Sequence, residues 1–335
     1  MKKYLCYAGI DVSKSKLDIS LLSDASDRRI PHFIVSNDGK GIGQLLGHLF
    51  KSGYRTEDVL FTFEDTGVYS LPLACYLSGH GLDYWMVPAI EIKRSKGISR
   101  GKTDKTDSRD IAFYSLTHKH KLRLGQIPEK EVMELKMLFS EREKLMKAIH
   151  LMESTQEMEG FIPKAAGTLV MKINRSTVRQ LKGSLKKIET EMQLLVKGCD
   201  YLSRQYELIN SIPGLGPQTA IYLMIATKGF QSFENWRQLA CYAGIAPFEY
   251  SSGSSIRGRT KVNHLADKKL KSLLQMCAMN AKKCDPQLKF YFEKKVAEGK
   301  SKMLVLNNIR CKLIARVFAV INRGEPYVDT NRFVA

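Results

Sequence analysis

Residues 4–10 form an apolar run that stops at Asp11, and after a polar turn residues 16–22 alternate apolar and polar positions as a hairpin partner would. Residues 32–36 supply a third strand. Residues 41–51 carry Leu45, Leu46 and Leu49 on one helical face, and residues 59–63 read as a buried fourth strand ending at Glu64. A helix at 71–78 and a strand at 82–87 follow. Hairpin strands first, then alternating helices and strands, imply a mixed sheet covered by helices.

That order is the outline of a ribonuclease-H-like α/β domain over residues 1–125. From 126 to 206 the chain turns to long charged segments, among them 131–153 and 176–196, with apolar residues every three or four positions. Long helices are expected there, interrupted near 160–163. They form either a coiled-coil arm that pairs two copies or a monomeric spacer. Residues 207–325 read as a second compact, mainly helical unit with glycine-rich connections, and the residues after Gly324 are expected to fray.

Charge narrows the class of partner. Lysine and arginine total 53 against 34 acidic residues, a net charge of +19 spread along the whole chain, which favours a polyanion. No long apolar span argues for a membrane. The N-terminus lacks the pattern of a signal peptide, so a cytoplasmic location is expected. Seven scattered cysteines without a Cys-x-x-Cys pair suggest neither a disulfide framework nor a zinc site.

The candidate chemistry begins with acids. Asp11 and Glu64 fall at strand ends, and Asp104 and Asp107 lie three residues apart at the start of a predicted helix. Strand-end carboxylates of one sheet converge on the same rim, where these four would hold two divalent ions, Mg2+ or Mn2+, through hard oxygen ligands. Each also has a plainer role, as a turn cap or as a helix N-terminal acid favoured by the backbone dipole. Asp18, Asp65 and Asp110 are reserves.

Two glycine-containing segments add to this. Ser211 to Ala220 places Gly214 and Gly216 between helical stretches and resembles a helix-hairpin-helix, whose backbone amides approach a phosphate; a tight turn without ligand is the other reading. Farther on, Ser251, Ser252, Ser254 and Ser255 sit in a basic loop with Arg257, Arg259 and Lys261. A hydroxyl beside phosphate-binding cations is what covalent phosphoryl transfer requires, although a solvated Ser/Gly linker has the same composition.

Taken together, these motifs resemble the DEDD-type insertion-sequence transposases of the IS110 family over most of the chain. Gly9-Ile10-Asp11-Val12-Ser13-Lys14 matches the opening aspartate motif, Glu64-Asp65-Thr66-Gly67-Val68-Tyr69 the glutamate motif, and Lys102 to Asp107 the paired aspartates, with small Ala112 following. A slipped match to Asp107 and Asp110 is the alternative. Ile212 to Gly216, Ala243 to Pro247 and Ser251-Ser252-Gly253 match the family's transposase domain.

The resemblance implies a resolvase-like catalytic domain, a helical connector and a C-terminal transposase domain. It further implies magnesium held by Asp11, Glu64, Asp104 and Asp107, and a nucleophilic serine, Ser252 with Ser251 as alternative, that forms a phosphoserine link to DNA. A guide RNA from the same element and a homo-oligomer are expected with it. Lys93, Arg94, Lys96, Arg100 and Lys102 are candidate backbone contacts beside the first site, and Arg257, Arg259 and Lys261 beside the second. Two other functions fit some of these features: a metal-dependent structure-specific nuclease with an inert serine loop, and a non-catalytic nucleic-acid-binding protein.

Overall fold

The computed structural model describes residues 2–27, 29–96, 103–156, 161, 164–252, 256–262 and 265–329, with backbone only at 155–156, 164–168, 249–252 and 256–261. The chain divides into two compact units, residues 1–127 and 128–335.

In the first unit, β1 (Cys6–Val12), β2 (Lys16–Leu22), β3 (His32–Ser36), β4 (Val59–Glu64) and β5 (Tyr84–Val87) form one sheet in the order β3-β2-β1-β4-β5. The β1–β2 and β2–β3 pairs are antiparallel, and β1–β4 and β4–β5 parallel, so the sheet is mixed. Period-two alternation sends Ala8, Ile10, Ile19, Phe61 and Phe63 to one face, where they pack with Leu45 and Leu49 of α1 (Gly39–Lys51) and Leu73 and Leu77 of α2 (Leu71–Gly79). Each fully buried leucine, isoleucine or phenylalanine among them contributes about 1.5–3 kcal/mol of burial free energy. The opposite face buries Tyr7, Leu60 and Trp85 with Ile92 of α3 (Ala89–Ser95) and Ile111 and Tyr114 of α4 (Asp104–Thr117).

Helix α4 lies hard against β1. A Cβ on Gly9 would come within 2.2 Å of both the Ala112 nitrogen and the Ser108 oxygen, so a side chain at position 9 would push the helix off the strand. Two buried hydroxyl pairs fix the register of helix on sheet: Ser20 Oγ to Ser108 Oγ at 2.8 Å and Thr62 Oγ1 to Ser115 Oγ at 2.7 Å. Beyond α4 the chain runs along the outer edge of β5, where the Gly125 N–H donates to Tyr84 O at 2.7 Å and Ile127 packs against the core.

The second unit begins with the long helices α5 (Lys130–Gln156) and α6 (Lys164–Lys197). They run antiparallel, since Arg142 pairs with Glu189 and Glu153 with Lys182. Apart from the exposed Phe161, the expected break at 160–163 lies outside the described residues. The rest is α7 (Asp200–Asn210), α8 (Pro217–Ala226), α9 (Trp236–Tyr242), α10 (Lys268–Cys284), α11 (Pro286–Ala297) and α12 (Lys302–Arg323), packed around one core that includes Leu223, Leu239, Leu274, Ile309 and Leu313. Among the described residues no helix is long and apolar enough to cross a membrane.

Three features depart from the sequence reading. The short helix α3 was not anticipated. Ser251 and Ser252 lie not in a loop but in β6 (Pro247–Ser252), which pairs antiparallel with β7 (Ile256–Val262), because Phe248, Tyr250, Ile256, Thr260 and Val262 supply strand-forming residues; Ser254 and Ser255 lie outside the described residues. The residues just after Gly324 do not fray: Gly324 closes α12 at φ 70°, the Tyr327 N–H donates to Ser211 Oγ at 2.8 Å, and Arg316 lies over the Tyr327 ring.

Candidate active site

Strand parity explains where the acids meet. Asp11 shares the α4 side of β1 with Tyr7 and Gly9, and Glu64 continues the Leu60–Thr62 face of β4. Asp18, opposite Asp11 in the β1–β2 register, lies on the same face as Ser20. Thr103 caps α4 in a reciprocal box with Thr106, which sets Asp104 and Asp107 in the first turn. The hydroxyl pairs further along α4 then bring that first turn to the strand ends.

The electrostatics record the result. Burial pushes the Asp11 carboxyl up from 3.8 to about 6, and the charges of Asp107, Asp104, Glu64 and Asp18 add to it in that order. The three other acids singled out from sequence in this unit therefore all act on Asp11, and Asp18 joins them.

Two lysines answer this concentration of negative charge. Lys16 Nζ sits 2.7 Å from Asp104 Oδ2 and 3.0 Å from Asp18 Oδ2, and the hydrogen bond to Asp104, then that to Asp18, pushes its ammonium up to about 12. Lys96 Nζ lies 2.6 Å from Asp107 Oδ1 and 3.2 Å from Asp110 Oδ2. Burial opposes the Lys96 charge, but the bonds to the two aspartates outweigh it and hold its ammonium above the usual lysine range. His32 Nε2 stands 3.3 Å from Asp18 Oδ1 without hydrogen-bond alignment.

The donor set is entirely carboxylate oxygen, which fits a hard divalent cation, and positive charge is already drawn to it in the form of two ammonium groups. Among the described residues no three acidic, histidine or cysteine side chains are gathered as a finished metal cage. Asp104 and Asp107 would therefore have to turn from their lysines to join Asp11 and Glu64 around one ion.

The other sequence candidates are distributed as follows. Asp65 has a turn role, its Oδ1 accepting the Gly67 N–H at 3.1 Å. Lys93 and Arg94 are exposed on α3. Lys96, read from sequence as a phosphate contact, is engaged with Asp107 and Asp110. Arg100 and Lys102 lie outside the described residues.

Gly214 has φ 94°, and a Cβ there would meet the Ala281 Cβ at 2.4 Å, so its close approach is to α10. Gly216, the N-cap of α8, has open space where a Cβ would stand. Ser252 is the last residue of β6, in register with Ile256, and Ser251 is in register with Arg257; Arg257, Arg259 and Lys261 are alternate positions of β7. Sequence reasoning overlooked Lys16, and its alternation with Asp18 and Ser20 was the available signal.

A mixed sheet with a strand-end acidic cluster is an arrangement suited to metal-assisted phosphoryl transfer. Comparison with known proteins is consistent with that class. Residues 8–156 match a family model described as transposase, and residues 206–293 match one described as transposase of the IS116/IS110/IS902 family. The pilin gene-inverting protein of Moraxella bovis is 26% identical over 325 residues, spanning 96% of this chain and 97% of its own length. The protein of the same description from Moraxella lacunata is likewise 26% identical over 325 residues. An insertion element IS110 protein of 43.6 kDa from Streptomyces coelicolor is 29% identical over 153 residues, 45% of this chain and 38% of its own length. The chain belongs to the IS110 family of transposases, enzymes that cut and rejoin DNA.

Proposed function

We propose that the enzyme breaks and reseals DNA through a composite site, in which the carboxylates of residues 1–125 act with the hydroxyl of Ser252 in residues 207–325. Residues 126–206 connect the two. The observation that supports this reading best is Asp11, half-buried and facing Glu64, Asp104, Asp107 and Asp18 at once. Such crowding is costly without a cation, and family membership leads to the same expectation of a divalent metal.

Asp11, Glu64, Asp104 and Asp107 are the ligands in this reading. When bound, Mg2+ or Mn2+ would neutralise charge on the scissile phosphate and the leaving oxygen. Ser252 Oγ attacks phosphorus and gives up its proton; the P–O bond to one DNA strand breaks, and the departing oxygen takes a proton. The resulting phosphoserine ester preserves the bond energy for rejoining, when a hydroxyl of another strand displaces the serine. Arg257, Arg259 and Lys261, with Lys93, Arg94, Arg100 and Lys102, neutralise backbone phosphates, and the Gly214–Gly216 turn presents the start of α8, through the Gln218 N–H, to DNA as a helix-hairpin-helix would.

A guide RNA and a homo-oligomer complete the proposal. The +19 charge suits a second polyanion. Exposed Leu151, Leu169, Val170 and Ile173 on α5 and α6 suit self-association. The testing experiment traps the protein–DNA adduct: Ser252→Ala should abolish it and Ser251→Ala should not. An adduct that survives both substitutions would overturn the serine assignment, and cutting by the parent protein with no adduct at all would favour a carboxylate-only nuclease.

A second reading concerns outcome rather than chemistry. The two Moraxella relatives that match nearly end to end are described as gene-inverting proteins, so inversion of a DNA segment is a natural product of the same cut-and-rejoin reaction. Plasmids carrying the element's junctions in inverted or separate arrangement would distinguish inversion from transposition.

A further inference from the structure

Two of the three arginines on helix α12, Arg310 and Arg316, have opposite surroundings. Arg316 is fully engaged: Nη1 lies 2.5 Å from Asp285 Oδ2, Nη2 lies 2.6 Å from Gln287 Oε1, and the guanidinium covers the Tyr327 ring. Arg310, fewer than two turns earlier, is only 7% exposed, and its Nε is buried with no hydrogen-bond partner. Among the described residues no carboxylate forms an ion pair with it.

Its neighbour is another cation. Lys271, half-buried on α10, is held below the usual lysine range by burial first and by the charge of Arg310 second. Burial likewise depresses the Arg310 guanidinium. The same stretch of α12 abuts the turn that leads into the serine-bearing ribbon: Asn307 Nδ2 donates to Ile245 O at 2.8 Å, and Cys311 Sγ approaches that oxygen at 3.7 Å.

A buried guanidinium with no anion and a second cation beside it is strongly unfavourable unless a ligand offsets it. The ligand must be anionic and must accept forked N–H donors, as a phosphodiester does, and DNA brings that group to this enzyme. We propose that Arg310, with the partly exposed Lys271 beside it, seats one backbone phosphate of the bound DNA at the root of the β6–β7 ribbon. Five residues of β6 separate this root from Ser252, roughly 17 Å of strand, so the seated phosphate flanks the reacting one. Only that spacing depends on the Ser252 reading; the seat itself requires no more than an enzyme that binds DNA.

The test is DNA binding by the full chain, measured with a random-sequence duplex across a series of KCl concentrations. Arg310→Met should weaken binding about tenfold at low salt and reduce the slope of log K against log [salt] by about 0.9, the signature of one lost phosphate. Arg310→Lys should keep most of the slope, and Lys271→Gln should lose a similar increment. Without DNA, the thermal midpoint of Arg310→Met should equal or exceed that of the parent, since an uncompensated buried charge has gone. Unchanged affinity and slope in Arg310→Met would overturn the proposal, as would a loss confined to single-stranded RNA run in parallel. If Arg310→Met lowers the midpoint, the half-buried Lys271→Gln decides: an unchanged slope there makes Arg310 a structural residue.

Discussion

The rim of the first unit's sheet and the root of the β6–β7 ribbon are opposite electrostatic cases. At the rim, Asp11 is crowded by like charges, and Lys16 and Lys96 pair with the neighbouring Asp104 and Asp107. At the root, Arg310 is buried beside a second cation, and among the described residues no counter-charge pairs with it. The rim is held by rigid packing, through Gly9 against α4 and two buried hydroxyl pairs, while at the root Ile245 packs into the core of α12 and its carbonyl accepts from Asn307. Both places keep charge in a state the fold alone disfavours, which is where a ligand of opposite sign gains most.

The comparison breaks first at Asp11. Asp11→Asn should reduce strand cutting by about 10³-fold or more, as removal of a principal electrostatic group does, while DNA binding persists. Its thermal midpoint should rise, because a repelled carboxylate has been neutralised; a fall in both activity and midpoint would mean that Asp11 is structural.

Next in size is the packing that holds the rim together. Gly9→Val sets a Cβ about 2.2 Å from the α4 backbone and should cost about 3 kcal/mol in urea unfolding of the full chain. A near-neutral result would show that α4 can slide, and with it Asp104 and Asp107.

The smallest effect is the pH dependence of metal-free protein. The Asp11 carboxyl titrates near 6 when folded and at an ordinary 3.8 when unfolded, so between these values the folded state binds more protons. This group's contribution is therefore most favourable below about pH 4, and stability falls as pH rises through 6. After discounting for solvent screening, the difference between parent and Asp11→Asn should change by roughly 1–2 kcal/mol across that window. A flat difference would remove the like-charge crowding from the account.

Much of the sheet was legible in sequence because its signal is local. The continuous apolar runs of β1 and β4 and the alternation of β2 follow from burial on one or both faces, and parity alone puts Asp11, Asp18 and Glu64 on one side. The ribbon was missed because serine and glycine at its turn outweighed the strand-formers flanking them. The anchored tail was missed because it depends on Ser211 and Arg316, more than a hundred and about ten positions away respectively. Lys16 as a clamp on Asp104 was likewise hidden, being a contact across 88 residues. Arg310 could not have been found from composition: it is one of 53 basic residues, and only its burial without an anion distinguishes it.

The segment through Gly125 and Ile127 acts as a selvedge on the sheet. By occupying Tyr84 O and covering the core beside it, this strip denies β5 to any stray strand from another chain. A cut placed just upstream of the strip would leave a sticky border, so the natural seam for dividing the polypeptide falls after Ile127.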